Sequence, residues 1–320
     1  MSGTVLVTGA AGFIGSHLCE ALLARGRTVV GYDNFDPFYD RSMKERNLKG
    51  LIPAKGFTLI EGDILDRECL KVAHADHNIR EVIHLAALAG VRPSIEQPYR
   101  YNEVNVLGTA AMLECARDFG VENFLFGSSS SVYGESDRVP FSEDHPVDRP
   151  ISPYAATKKA GELTCYTYHH LYGFPVTCLR FFTVYGPRQR PDLAIAKFTR
   201  LIDRGEPIPL YGDGTTRRDY TYIDDIVAGV LAALERRLPY AVLNLGEQQT
   251  TTLADLVDMI EKALGKRAVI ERLPNQPGDV PITYADIARA KADLGYAPKT
   301  QIADGIPRYV AWYLAQKDAS

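Results

Sequence analysis

The chain has 320 residues, 46% of them hydrophobic, so it can bury a large core as one α/β domain or as two closely joined lobes. Its formal net charge of −4 argues against a protein that grips a nucleic-acid backbone through a broad basic face. No segment reaches the roughly 18 apolar residues that span a bilayer, so we expect no membrane partner and a cytoplasmic location.

The cysteines and histidines show no spacing typical of a disulfide framework or a metal site. The five cysteines are scattered and include no C-x-x-C pair, which suits a reducing compartment. Among the seven histidines, His74 and His77 lie three apart without a third ligand nearby, and there is no H-E-x-x-H. We therefore expect no metal.

Short apolar runs alternate with segments of helical periodicity through the first half of the chain. The predicted strands are Thr4–Thr8, Thr28–Tyr32, Phe57–Ile60, Glu81–Leu85, Asn123–Gly127 and Pro175–Arg180. Helices are predicted near 13–25, 66–77, 96–118 and 154–172. This order predicts a doubly wound parallel α/β sheet, a Rossmann fold, with ligands at the carboxyl ends of the strands.

After about residue 186 the sequence becomes rich in turns, as in GPRQRPDL and YGDGTTRRDY, which predicts a smaller C-terminal lobe. A helix near 224–235 and the run Val242–Leu245 are long and apolar enough to return to the first lobe. We therefore assign residues 1–185 and about 222–248 to the Rossmann domain. The smaller lobe takes residues 186–221 and 249–320.

The glycines of VTGAAGFIGSH stand between the first predicted strand and the first predicted helix. At Gly9, Gly12 and Gly15 the missing side chains permit a tight turn and let the backbone, with Phe13 and Ile14, approach a pyrophosphate. The N-terminus of the helix then holds that anion through its free N–H groups. This arrangement predicts a dinucleotide site.

The second predicted strand ends in GYDN, where Asp33 is followed by Asn34. An acidic side chain here accepts hydrogen bonds from the adenosine ribose hydroxyls and repels a 2′-phosphate, so NAD is favoured over NADP. Two further strand ends supply more candidates for cofactor contact: Asp63, Ile64, Leu85, Ala86 and Ala87.

Tyr154 and Lys158 in SPYAATKKA are four residues apart, so they share one face of a helix. A lysine ammonium near a phenol favours the phenolate and lowers the pKa of the phenol. Tyr154 is therefore a candidate general base, and both residues are candidates for contacting the cofactor.

The glycine motif, the acidic residue after strand two, FGSSSSVYG and Y-x-x-x-K together resemble the extended short-chain dehydrogenase/reductase family of nucleotide-sugar epimerases and dehydratases, nearly end to end. The resemblance implies that Ser129 hydrogen-bonds the sugar O4 beside Tyr154 and Lys158. It also places Ser130 at the substrate and implies that Asn105 helps to hold the cofactor. It implies a reversible reaction in which Tyr154 takes the 4-hydroxyl proton, NAD accepts the C4 hydride, and the sugar turns over before the hydride returns.

Dehydratases of this family carry an acidic residue directly before V-Y-G, whereas here Ser130 and Ser131 stand there and do not titrate near neutral pH. A C4 epimerase is therefore favoured. The stretch LRFFTVYGPRQRPDLA resembles the UDP-glucuronate 4-epimerase subgroup, which implies that Thr183 and Arg190 engage the substrate carboxylate. With a ketone at C4 that group becomes a β-keto acid, so holding it suppresses loss of CO2.

The resemblance also assigns the nucleotide. Arg218 in GDGTTRRDY matches a diphosphate-binding arginine, with Arg217 as the alternative, and Asp279 in PGDVP matches a uridine-ribose contact. Many relatives carry an arginine before P-G-D, where this chain has Gln276. Arg92 and Arg272 are the candidates to replace that contact, and Arg92 is our choice for the substrate site.

Other functions stay open at this stage. A UDP-glucose or UDP-N-acetylglucosamine 4-epimerase predicts that Arg190 faces solvent, and the small side chain of Thr283 leaves room for a larger sugar. A dehydratase and a non-catalytic NAD-binding regulator are further alternatives, although a regulator would show degenerate catalytic residues. Relatives pair two long helices per subunit, which implies a homodimer through the segments near 96–118 and 154–172.

Overall fold

The computed structural model describes residues 3–274 and 280–318, so Gln276 and Asp279 lie outside the described residues. The strands are β1 Thr4–Thr8, β2 Val29–Asp33, β3 Phe57–Glu61, β4 Ile79–His84, β5 Asn123–Ser129, β6 Val176–Phe181, β7 Thr183–Tyr185, β8 Pro207–Tyr211, β9 Arg217–Arg218, β10 Tyr220–Tyr222, β11 Tyr240–Leu245, β12 Thr251–Thr252 and β13 Val269–Leu273. The helices are α1 Phe13–Ala24, α2 Arg41–Leu48, α3 Arg67–His77, α4 Val91–Glu96, α5 Pro98–Asn102, α6 Gly108–Asp118, α7 Pro153–Tyr172, α8 Ala194–Arg204, α9 Ile223–Arg236, α10 Leu253–Leu264, α11 Ala288–Leu294 and α12 Ile302–Asp318.

Within the described ranges one seven-stranded sheet has the order β11-β6-β5-β4-β1-β2-β3, and every neighbouring pair is parallel. Successive strand side chains point to opposite faces, so Val5 and Val7 pack into one core cluster and Leu6 into another. Helices cover both faces of such a sheet. The predicted doubly wound fold is confirmed.

The smaller strand pairs lie apart from this sheet. β7 pairs with β10 and β8 with β13 in parallel, while β9 pairs with β12 in the antiparallel sense. Strand β11 pairs with β6 at the edge of the large sheet, so the chain returns there after α9. In residues 3–274 and 280–318, no helix has both the length and the apolar character needed to cross a membrane.

The segment predicted as one helix near 96–118 is more varied than its periodicity indicated. It begins with α5, continues as a π-helical turn over Glu103–Leu107 and ends with α6. A π turn adds a residue to one turn of helix and is frequent at functional sites. Here it contains the buried Asn105.

Candidate active site

A cavity of about 490 Å³ lies at the carboxyl edge of the large sheet. Its lining comes from the loops after β1, β2, β4 and β5, from α7 and from the segment that follows β6. Most of the residues singled out in the sequence line it: Gly9, Gly12, Phe13, Ile14, Gly15, Asp33, Asn34, Ile64, Leu85, Ala86, Ala87, Ser129, Ser130, Tyr154, Lys158, Thr183 and Arg190.

The loop between β1 and α1 depends on two of its glycines. Gly9 has φ +71°, a left-handed conformation that other residues rarely adopt. A Cβ on Gly15 would overlap the carbonyl oxygen of Gly9. Because the first N–H groups of a helix have no partner within the helix, the start of α1 at Phe13 offers donors and partial positive charge to an anion. The loop therefore fits the pyrophosphate of a dinucleotide.

Asp33 is buried at the end of β2 and organises the loops around it. Its Oδ2 accepts a hydrogen bond from the Ala11 N–H at 3.0 Å and its Oδ1 from the Phe35 N–H at 2.8 Å. Lys44 of α2 places Nζ 3.7 Å from Oδ1. A carboxylate held in this way at the cavity wall fits an adenosine ribose.

Helix α2 contributes residues that the sequence analysis did not single out. Lys44 lines the cavity, and the Nδ2 of Asn47 donates to the carbonyl oxygen of Ala11 in the glycine loop at 3.0 Å. Phe38 and Tyr39, in the loop before α2, also line the cavity. The i, i+3 spacing of Lys44 and Asn47 on a helix that closely follows Asp33 was the pattern that could have revealed them.

A chain of buried polar groups supports the cavity wall after β4. The Thr8 hydroxyl oxygen accepts from the N–H groups of Leu85 and Ala86, both at 3.1 Å, and lies 2.8 Å from Nδ1 of His84. The Nε2 of His84 lies 3.2 Å from the hydroxyl of Thr109. Burial lowers the pKa of His84 to about 3, so the ring is neutral and acts as a structural link.

Asn105 lies behind the cavity and outside its described lining. Its Oδ1 accepts from the Leu88 N–H at 2.8 Å, and its Nδ2 donates to the Leu88 carbonyl oxygen and to the Thr157 hydroxyl, both at 3.0 Å. The side-chain amide of Asn105 is therefore bound to the backbone of Leu88, and Leu88 lines the cavity. Asn105 thus supports the cavity wall through Leu88, and its expected part in holding the cofactor stays a prediction.

Ser129, Tyr154 and Lys158 meet at the cavity because β5 ends beside the start of α7. Ser152 caps the helix by accepting from the Ala155 N–H at 3.1 Å, and its first turn presents Tyr154. The Ser129 hydroxyl donates to the Ser131 hydroxyl at 3.2 Å, and Ser129 and Tyr154 both line the cavity. The Nζ of Lys158 donates to the carbonyl oxygen of Gly127 at 2.6 Å.

Several effects act on the pKa of the Tyr154 phenol. Burial raises it, and interactions with Ser129 and with the charge of Arg190 act in the opposite direction. The Lys158 ammonium donates to the carbonyl oxygen of Gly127, and burial lowers the pKa of Lys158 to about 8. The expected lowering of the Tyr154 pKa by Lys158 stays a prediction.

Arg190 lines the same cavity, and its side chain is 17% exposed. Its Nε and Nη2 donate to the two carboxylate oxygens of Asp192 at 3.0 and 2.8 Å. Its guanidinium carbon lies 5.2 Å from the ring centroid of Phe38. A positive, planar group thus stands near the phenol of Tyr154, where it can meet a carboxylate on a bound molecule.

Thr183 lines the cavity, but Thr283 lies outside the described lining. The Thr283 hydroxyl accepts from the Asp219 N–H at 3.3 Å, and its N–H donates to the carbonyl oxygen of Arg217 at 3.1 Å. These bonds tie Thr283 to the strand region around β9. The expectation that its size sets the room for the sugar finds no support in the described cavity.

The predicted diphosphate residues also lie outside the described lining. The guanidinium of Arg92 is 4.8 Å from the ring centroid of Tyr211. The Nη1 of Arg218 donates to the carbonyl oxygen of Arg217 at 2.9 Å. Asp63, a candidate for cofactor contact, also lies outside this lining and accepts from the Nδ2 of Asn34, which lines the cavity, at 2.9 Å. In the part of the chain that the structure describes, no group of three His, Cys, Asp or Glu side chains is placed to hold a metal.

Comparison with known proteins gives concordant matches. The family profile described as GDP-mannose 4,6 dehydratase matches residues 6–309. A UDP-glucuronate 4-epimerase of Thermodesulfobacterium geofontis is 45% identical over 312 residues, covering 97% of this chain and 96% of that protein. The structure of the UDP-glucuronic acid 4-epimerase from Bacillus cereus with UDP-glucuronic acid and NAD is 39% identical, with a TM-score of 0.92 and coverage of 98% and 99%. The UDP-glucose 4-epimerase from Thermus thermophilus with NAD is 34% identical, with a TM-score of 0.89 and coverage of 97% and 99%.

Proposed function

The chain belongs to the extended short-chain dehydrogenase/reductase family, in the group with the GDP-mannose 4,6 dehydratase profile, and from that membership we propose that it is an NAD-dependent UDP-sugar 4-epimerase acting on UDP-glucuronate. The observation that carries the choice of sugar is the guanidinium of Arg190 in the same cavity as Tyr154. A neutral sugar offers that cation no carboxylate.

The residues of the glycine loop and Asp33 fit NAD. Gly9 and Gly15 leave the backbone of the loop open to a pyrophosphate, and Asp33 meets the adenosine ribose at the end of β2. A carboxylate at that position repels a 2′-phosphate, which favours NAD over NADP. When bound, NAD supplies reversible hydride transfer at C4 of the sugar.

The side chains around C4 handle the proton. Tyr154, as its phenolate, takes the proton of the 4-hydroxyl to become the phenol and later returns it, while Ser129 hydrogen-bonds O4 and holds it against Tyr154. Ser130 lies beside them at the substrate. The hydrogen bond from Lys158 to the carbonyl oxygen of Gly127 keeps its ammonium group in place near this pair. Turning the 4-keto sugar over between the two half-reactions inverts the configuration at C4.

Arg190 and Thr183 take the sugar carboxylate in this proposal. A guanidinium donates two parallel hydrogen bonds to a carboxylate and so fixes its plane. The 4-keto intermediate carries this carboxylate as a β-keto acid, which loses CO2 when it rotates out of plane. Holding it keeps the reaction an epimerisation. Arg218, with Arg92, remains our assignment for the diphosphate, and Asp279 for the uridine ribose.

We place the two lobes as in the sequence analysis, with NAD on the Rossmann domain and the nucleotide sugar on the smaller lobe. We also propose a homodimer. Its support is a set of exposed apolar side chains on the two helical segments that we predict to form the interface. Leu107, Leu163 and Tyr166 are 60%, 57% and 50% exposed. The five cysteines are free thiols, which supports a cytoplasmic location.

The test is to incubate purified protein, without added NAD, with UDP-glucuronate, UDP-glucose and UDP-N-acetylglucosamine separately and to follow the products by NMR of the sugar ring. We expect UDP-galacturonate to form far faster than the neutral products. The Arg190→Ala variant should lose this advantage, while Arg204→Ala, an exposed arginine at the end of α8, should keep it. Turnover of neutral sugars alone would establish the glucose-type alternative.

A further inference from the structure

Arg190 is held by its own chain before any ligand reaches it. The Nε–Nη2 edge of its guanidinium is occupied by both oxygens of Asp192. A Cβ built on Gly90, in the turn before α4, would lie 4.0 Å from Nη2, which places that nitrogen at the cavity wall. Among the described residues, Nη1 has no hydrogen-bond partner. The Nε–Nη2 edge of the guanidinium is therefore held by Asp192, and the Nη1–Nη2 edge is available to a ligand.

The loop that carries these two residues is fastened on its other side. The Nη2 of Arg188 donates to the Glu20 carboxylate of α1 at 2.6 Å, and the Nε2 of His17 lies 3.0 Å from the carbonyl oxygen of Pro187. Both contacts bind the loop to the helix at the cofactor end of the cavity. The loop is thus held as a whole, and the direction of the Arg190 guanidinium is decided locally.

We propose that Asp192 is a positioning residue that determines sugar specificity: it holds the Arg190 guanidinium side-on, so that the Nη1–Nη2 edge faces the cavity and reads the carboxylate of the sugar. This inference rests on the proposed function. Arg190 then binds two carboxylates, that of Asp192 and that of the substrate. Because Asp192 sets the plane of the guanidinium, it also sets the plane in which the substrate carboxylate is held.

Two effects of the Asp192 charge oppose each other. Its negative charge repels a substrate carboxylate on the far edge of the arginine, but its two hydrogen bonds remove the rotational freedom of a long side chain. Asp192 is 44% exposed, so water screens the repulsion, whereas the bidentate geometry acts directly on Arg190. Orientation therefore outweighs repulsion, and removing Asp192 weakens binding of a carboxylated sugar.

The test uses the full chain with Asp192→Asn, which removes the charge and one acceptor, and Asp192→Glu, which restores a carboxylate. Arg190→Ala, alone and combined with Asp192→Asn, tests whether the effect acts through Arg190. Glu206→Gln is the control, because it removes the exposed carboxylate partner of Arg204 and should leave KM for UDP-glucuronate unchanged. For each we would measure KM and kcat for UDP-glucuronate, the fraction of UDP-pentose formed by loss of CO2 from the 4-keto intermediate, and the inhibition constant of UDP-xylose, which lacks the carboxylate. Melting temperature monitors the fold.

We expect Asp192→Asn to raise KM for UDP-glucuronate about tenfold and to raise the pentose fraction, with UDP-xylose inhibition within about twofold of wild type. Asp192→Glu should recover part of the loss. In the Arg190→Ala background, Asp192→Asn should add nothing further. An unchanged or lower KM in Asp192→Asn, or equal losses of affinity for UDP-glucuronate and UDP-xylose, would overturn the positioning role. The proposed function would still stand if the wild type converts UDP-glucuronate. No UDP-galacturonate from the wild type would overturn both.

Discussion

Arg180 and Glu162 form a bidentate ion pair in the interior, with Nε and Nη2 donating to the two carboxylate oxygens at 2.8 and 2.9 Å. The side chains are only 2% and 1% exposed. Glu162 lies on α7, two turns after Tyr154, and also accepts from the Ser128 hydroxyl at 2.7 Å. The pair therefore fastens the helix that carries the phenol to β6 and to the end of β5.

We predict that Arg180→Met destabilises the protein by about 3 kcal/mol, because it leaves the buried Glu162 carboxylate with only the part-exposed Lys159, 3.2 Å away, as a charged partner. The double variant Arg180→Met/Glu162→Met should recover most of that loss. Denaturant unfolding measures both. The control is Glu235→Gln, which breaks the exposed pair between Glu235 and Arg25 and should change stability by less than about 0.5 kcal/mol. A double variant as unstable as Arg180→Met alone would contradict this account.

Tyr154→Phe should lower kcat by about 10²–10⁴-fold, since the variant keeps the ring and loses the group that moves the proton. The content of bound NAD and the melting temperature should stay close to wild type. Tyr101→Phe is the matched control, because its hydroxyl donates to the carbonyl oxygen of Ala89 at 2.9 Å and its ring packs edge-on against Tyr154. It should retain most of the activity. Comparable losses in both variants would show that packing, and not proton transfer, explains the effect.

The pH profile should show the titration of Lys158. Burial lowers its pKa to about 8, so the ammonium is present below that pH and is lost as the pH rises through it. We expect kcat/KM, which reports groups of the free enzyme, to fall above about pH 8. Lys158→Arg keeps its charge in this range and should lose this alkaline limb even though its rate is lower. A limb of the same pKa in the arginine variant would assign it to another group.

Asp33→Asn should narrow the preference for NAD over NADP by about tenfold, since the amide keeps an acceptor but no longer repels a 2′-phosphate. Dissociation constants for the two cofactors, measured on protein stripped of nucleotide, give this ratio. Asp40→Asn is the control: Asp40 caps α2 on the surface by accepting from the Ser42 N–H at 2.7 Å. An unchanged ratio in Asp33→Asn would remove Asp33 from cofactor choice.

Leu163→Arg should shift the protein from dimer to monomer, because it places a charge in the apolar surface that we assign to the interface. Sedimentation velocity at several concentrations measures the change. Val72→Arg provides the comparison, since Val72 is similarly exposed, at 58%, but lies on α3. A wild-type monomer at all concentrations would rule out the homodimer.

Local periodicity in the sequence was sufficient to predict several elements. Parallel strands with both faces covered and helices with one apolar face leave repeating patterns, so the boundaries of β1, β5 and α7 were close to those observed. The position of Gly9 between a strand and a helix, and the spacing of Tyr154 and Lys158, followed from the same local geometry. These patterns located the cavity at the correct edge of the sheet.

Other features depend on contacts between distant segments, which no local pattern encodes. Nothing in the sequence indicated that Phe38 would reach Arg190, or that the π turn would direct Asn105 to Leu88. The spacing of Tyr154 and Lys158 also gave no indication that Arg190 would line the same cavity as that phenol.

By itself, the sequence determined the doubly wound sheet, the glycine loop and the shared helix face of Tyr154 and Lys158, because backbone periodicity fixes each of them within a short stretch. Only the tertiary structure decided which way the charged side chains point. Lys158 donates to the carbonyl oxygen of Gly127, and Arg190 lines the cavity while it donates to the carboxylate of Asp192. Burial and the hydrogen-bond partners available at each position set those directions, and both arise only when distant segments of the chain pack together.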